Sequence, residues 1–121
     1  PEVWQALVDA DVVVVPSLWY ETFSFLVSEG FIAGKPVLAS RLGPLADRVR
    51  DAVDGLLLAP GDVAAWREAM QRLVDSPDDL ARLRQNVRVP LSLEEHEAAL
   101  TALYTHIVAG NVSVRSKDTE Q

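Results

Sequence analysis

Three short apolar runs alternate with segments of helical periodicity, and together they predict an α/β fold. Val3, Trp4, Leu7 and Val8 fall at helical spacing, and Pro1 suits a first helical turn, so a helix is predicted over about 1–9. Asp11-Val12-Val13-Val14-Val15-Pro16 is β-branched without alternation, the pattern of a strand covered on both faces of a parallel sheet. A loop at Leu18 to Thr22 leads into an apolar helix over about 23–33 that stops at Gly34. Pro36 to Ser40 is a second buried strand, and a short helix follows over roughly 44–50. Asp54-Gly55 turns into a third strand over Leu56 to Ala59, ended by Pro60-Gly61.

The rest reads as helix. Asp62 caps a helix whose Val63, Trp66, Met70, Leu73 and Val74 are expected on one face, with Trp66 and Met70 as core residues. Ser76-Pro77-Asp78-Asp79 combines a capping serine, a first-turn proline and early acids. Ser92-Leu93-Glu94-Glu95 is a capping box opening a helix with Leu93, Leu100, Leu103, Tyr104 and Ile107 on one side. From Gly110 the chain is polar and aperiodic, so 110–121 is expected to be a disordered tail. Strand–helix alternation implies a parallel sheet with helices on its faces. Three strands are about half of a Rossmann domain, so the expected architecture is a partial Rossmann-like domain over 1–109: three parallel strands, flanking helices and C-terminal helices. The apolar first strand then has one edge without a partner, which predicts self-association through that edge.

Composition narrows the function. With 121 residues and 49% hydrophobic content the chain can bury a core. A net charge of −7 disfavours electrostatic nucleic-acid binding. The absence of cysteine excludes disulfides and thiolate metal sites, and His96 and His106 lack zinc-ligand spacing. No apolar run approaches the roughly 20 residues that span a bilayer, and no signal peptide is read at a chain that begins with Pro1.

The segment from Pro16 to Glu29 carries the candidate chemistry. It leaves the carboxyl end of a parallel strand and starts a helix, the place where open α/β sheets bind ligands. The first N–H groups of that helix, around Ser24 to Leu26, lack intrahelical partners and favour an anion such as a pyrophosphate. This reconciles an acidic chain with a phosphorylated ligand. Glu21 and Glu29 are eight residues apart, about 12 Å if the stretch is helical throughout. That is too far for a shared-proton pair or a glycosidase carboxylate pair. It suits two acids that grip the hydroxyls at opposite ends of one elongated ligand. Trp19 and Tyr20 are read as loop packing or as stacking on a base. Lys35 is read as a cation at a helix end, and Arg41 either as a phosphate ligand or as structural.

This stretch resembles the E-x7-E segment of retaining GT-B glycosyltransferases of group 1, family 4. The shared residues are Glu21, Phe23 and Glu29, then Ala33-Gly34-Lys35-Pro36-Val37-Leu38-Ala39-Ser40. Asp51 to Asp62 resembles the D-G-x-x-G-x-L-x-x-P-G-D pattern of the same family. The likeness runs from about residue 1 to 88 and more weakly to 109. It departs at Ser24, where glycine is usual, and at Gly43-Pro44-Leu45-Ala46-Asp47, where G-G-x-P-E is commoner.

The resemblance implies a donor-binding segment for a nucleotide-diphospho-sugar. Glu21 would contact the donor sugar, backbone N–H groups of Phe23, Ser24, Phe25 and Leu26 the diphosphate, and Glu29 the ribose. No cofactor and no metal are expected. Transfer to an acceptor would retain the anomeric configuration. The family's basic pyrophosphate residues and its acceptor domain are not in this chain, so the chain alone is expected to be inactive and to need the N-terminal domain of its enzyme as partner. The expected location is cytoplasmic, in solution or at the inner membrane face. The competing reading is a non-enzymatic α/β module that binds a phosphorylated ligand or acts through its sheet edge. A dehydrogenase half is disfavoured because no strand is followed by G-x-G-x-x-G.

Overall fold

The computed structural model describes residues 2–110, so the expected tail over 110–121 lies, apart from Gly110, outside the described residues. The chain divides into two compact units between Pro90 and Leu91. In the first unit the order is α1 (Glu2–Asp9), β1 (Val13–Val15), α2 (Phe25–Ile32), β2 (Val37–Ser40), α3 (Gly43–Arg48), β3 (Gly55–Leu58), α4 (Val63–Asp75) and α5 (Pro77–Gln85). The second unit holds α6 (Leu93–Val108), opened by the expected capping box. The Ser92 hydroxyl accepts from the Glu95 amide at 3.2 Å, and the Ser92 amide donates to the Glu95 carboxylate at 2.8 Å.

The sheet is parallel with the order β1-β2-β3, Val13 facing Val37 and Val37 facing Gly55. All of β2 is buried, as an apolar run without alternation requires. Alternate strand residues feed two cores. Val13, Val15, Val37, Ala39 and Leu57 pack with Leu7 of α1, Val27 and Phe31 of α2 and Leu45 of α3. Leu38 and Leu56 face the other way, onto Trp66, Ala69 and Leu73 of α4 and Leu83 of α5. β1 is an edge strand among the described residues.

Close approach fixes one glycine. A Cβ on Gly55 would lie 1.9 Å from the Val37 carbonyl oxygen and 2.8 Å from Val49 Cγ1, so only glycine lets β3 start against β2. Beside it, the buried Asp54 carboxylate accepts from the Arg50 backbone amide at 2.8 Å and from Arg50 Nε at 2.7 Å.

Several expectations shift. α4 is capped by Asp62, whose carboxylate accepts from the Ala65 amide at 3.0 Å. Its buried stripe, however, is Trp66-Ala69-Leu73, the three- and four-residue spacing of one helix face. Met70 is 40% exposed and Val63 79%, and Val74 is also exposed, so these are not core residues. Trp66 is core, and its indole N–H donates to the Ala59 carbonyl at 3.1 Å. Ser76 stands at the N-cap of α5 without a side-chain cap bond; its backbone carbonyl instead accepts from Asp79 and Leu80. On α1 only Leu7 is buried, and Val3, Trp4 and Val8 stay exposed.

Candidate donor-binding site

The carboxyl ends of β1 and β2 release two loops that meet. After Val15 the chain passes through Ser17, buried, and Glu21, half-buried, before α2 starts. The Ser17 hydroxyl donates to the Glu21 carboxylate, an i to i+4 contact that fixes this acid while leaving its second oxygen without a partner among the described residues. After Ser40 the chain turns at Gly43 into α3, and a Cβ on Gly43 would lie 2.8 Å from the Tyr20 ring. Tyr20 therefore packs the first loop onto the second, although most of its ring stays exposed.

α2 begins at Phe25, two residues later than its periodicity predicts, because Ser24 is extended (φ −98°, ψ 106°) and serves as the N-cap. The estimate of about 12 Å between Glu21 and Glu29 assumed one continuous helix, and that geometry does not hold. Helical rise applies only from Phe25 to Glu29, about 6 Å; the loop sets the remainder of the span. The expected free donors are present. The backbone N–H groups of Phe23, Ser24, Phe25 and Leu26 have no acceptor among the described residues. The Ser24 hydroxyl does not cap the helix, and Ser24 is only 5% exposed. Glu29 lies one turn further along α2, exposed and without a side-chain partner among the described residues.

Arg48 escaped the sequence reading. From the last turn of α3 its Nη1 donates to the Ser24 carbonyl at 2.5 Å, and its Nη2 donates to the Ser28 hydroxyl. Its guanidinium carbon stands 4.0 Å from the centroid of the Phe23 ring. Phe23 in turn meets Phe25 edge to face at 5.1 Å. Burial pulls the Arg48 pKa below the ordinary guanidinium value. No local pattern signals this residue, since its partners lie 20 and 24 positions away in the chain.

The other candidates resolve differently. Arg41 pairs with Asp51 at 2.6 Å and so braces the loop before β3. Partial burial pushes the Asp51 carboxyl up, but the Leu57 amide at 3.0 Å and the Arg41 guanidinium outweigh it, and the net pKa lies below the usual carboxylate value. Among the described residues no three His, Asp or Glu side chains gather as a metal site. Nor is any helix among them long and apolar enough to cross a membrane. Apolar concavities run beside β1, lined by Val14, Pro16, Trp66 and Met70 and by Val12, Leu73 and Leu80; neither includes Glu21 or Glu29.

A three-stranded parallel sheet with helices on both faces, and with free amides at the start of the helix that follows a strand end, defines the class as a Rossmann-like fold. The chain belongs to the family Glycosyl transferases group 1, whose pattern matches residues 1–89. It is 41% identical over 83 residues to an MMP alpha-(1->4)-mannosyltransferase of Mycolicibacterium hassiacum, covering 68% of this chain and 20% of that protein. It is 39% identical over 74 residues to a D-inositol 3-phosphate glycosyltransferase of Nocardia farcinica, covering 61% and 16%. Among solved structures, sucrose-phosphate synthase of Thermosynechococcus elongatus superposes with a TM-score of 0.70 at 32% identity, over 89% of this chain and 27% of that one. The fold is shared with Anabaena HepE, solved in complex with UDP, with a TM-score of 0.69 at 21% identity, over 84% and 29%. The chain thus spans about a fifth of the length of the curated relatives.

Proposed function

We propose that this chain is the donor-binding portion of a retaining glycosyltransferase that uses a nucleotide-diphospho-sugar. The observation that carries the reading is the row of unpaired amides from Phe23 to Leu26 at the start of α2, with Glu21 before it and Glu29 after it. Such donors suit a diphosphate, because they need an acceptor and the helix dipole favours negative charge. Glu21, held by Ser17, would take the donor-sugar hydroxyls, and Glu29 the ribose hydroxyls. The named activities of the relatives and the UDP bound by the Anabaena protein support a nucleotide-sugar over other phosphorylated ligands.

Transfer requires cationic stabilisation of the departing diphosphate and a bound acceptor. Both would come from the N-terminal part of the same enzyme, so this chain alone would bind donor without turning it over. The reading includes a metal-independent reaction in the cytoplasm or at the inner membrane face. It also includes self-association of the isolated chain through the edge of β1, which light scattering at high concentration would test by a mass above the monomer's.

Calorimetric titration with UDP and GDP tests the central assignment. One of the two should bind, Glu29→Ala should weaken it at least tenfold, and UMP or GMP should bind more weakly than the matching diphosphate. Binding of inorganic phosphate as tight as that of either nucleotide, unaffected by Glu29→Ala, would favour the non-enzymatic phosphate-binding module instead.

A further inference from the structure

We propose that Arg48 is a positioning residue that holds the amide row of the donor site in shape by gripping Phe23, Ser24 and Ser28 together. This rests on the donor-binding reading above and adds a residue to that site. Three contacts from one guanidinium converge on the start of α2: the Ser24 carbonyl, the Ser28 hydroxyl and the Phe23 ring face. They span the junction between loop and helix, where Ser24 is extended and no side chain caps the helix. Ordinarily an N-cap side chain would fix that junction. Here a residue from α3 does so across the chain, leaving every amide from Phe23 to Leu26 free for a ligand.

The sign of the charge argues that the arrangement serves more than stability. A cation beside a helix N-terminus opposes the helix dipole. A neutral residue would avoid that conflict, whereas a bound anion relieves it. The shape matters as much as the charge, because a planar guanidinium can donate in two directions and stack on a ring, and an ammonium cannot reproduce that geometry.

The test measures backbone 15N order parameters of Phe23 to Leu26 and nucleotide affinity, with UDP and GDP as probes, on the 121-residue chain. Wild type is compared with Arg48→Lys, Arg48→Met, Ser28→Ala and, as a remote control, Arg82→Met, which removes another arginine bonded to a carbonyl, that of Ala52. Order parameters near the rigid value of about 0.85 should fall below about 0.6 in both Arg48 variants. Affinity should fall at least fivefold in both, and less in Ser28→Ala, while Arg82→Met changes neither. Should Arg48→Met unfold the chain, Ser28→Ala carries the test through a smaller drop in both readouts. Wild-type order parameters in Arg48→Met, or in Ser28→Ala if Arg48→Met does not fold, would overturn the proposal. So would full rescue by Arg48→Lys, which would reduce the role to charge. A wild-type chain that binds neither nucleotide would sink the donor reading instead, and the order parameters would still decide the role of Arg48.

Discussion

Replacing Ala52 by glycine should stabilise the chain, although it removes a methyl group. Ala52 is the one non-glycine residue with positive φ among the described residues, at +60°. In that left-handed region an L side chain meets its own backbone, at a cost of roughly 1–2 kcal/mol. Glycine escapes this strain but has more freedom to lose on folding, which takes back about 0.4–1 kcal/mol. Nothing else should change. The residue is exposed, its amide bonds the Gly55 carbonyl at 2.9 Å, and its own carbonyl accepts from Arg82 at 2.8 Å. Both bonds are made by backbone atoms that glycine keeps. The net gain is therefore about 0.5–1 kcal/mol, and for a domain of this size the melting temperature should rise by about 2–8 °C. Paired thermal melts followed by circular dichroism at constant concentration read this directly. A melting temperature that stays or falls would refute the reasoning, because the strain would then not exist at this position. The family pattern that Asp51 to Asp62 resembles has glycine at this place, consistent with the direction of the effect.

Other substitutions should act with the opposite sign. Gly55→Ala drives a Cβ to within 1.9 Å of the Val37 carbonyl oxygen and should cost about 3 kcal/mol or more in urea unfolding, at the top of the usual overpacking range. Arg50→Met strands the buried Asp54 carboxylate with only its backbone donor and should cost about 2 kcal/mol; adding Asp54→Asn should recover part of that loss. The Asp51 pKa lies below its unfolded value, so its contribution is present above the ordinary carboxylate range and disappears as pH falls through the folded value. Urea midpoints of wild type and Arg41→Met should therefore differ at pH 7 and converge below about pH 4.

How far the sequence reveals the molecule depends on the range of each interaction. The strands were legible because Val13 to Val15 and Val37 to Ala39 are apolar at every position, which suits a strand covered on both faces. The end of α2 was legible because Gly34 adopts φ +71° and its amide bonds back to Phe31. Its beginning was not, since Phe23 continues the apolar pattern of the helix while the backbone at Ser24 is still extended. On α4 the periodicity was right and the face slightly off, because the small Ala69 sits at the centre of the buried stripe and the larger Met70 is left at its margin. Glu21, Glu29 and the amides of Phe23 to Leu26 were legible as candidates from their position after a strand end. Arg48 was beyond such reasoning, because the loop–helix–strand path from Ser28 through β2 to α3 brings it home, and no local spacing encodes that path.

The most direct test of the donor-binding claim is an 15N-labelled spectrum of the chain titrated with UDP and then GDP. The account predicts that one nucleotide shifts the amides of Phe23, Ser24, Phe25 and Leu26 most strongly, with Glu29 next, and that Glu29→Ala abolishes saturation over the same concentration range. Shifts confined to the apolar grooves beside β1, or saturation unchanged in the variant, would contradict it.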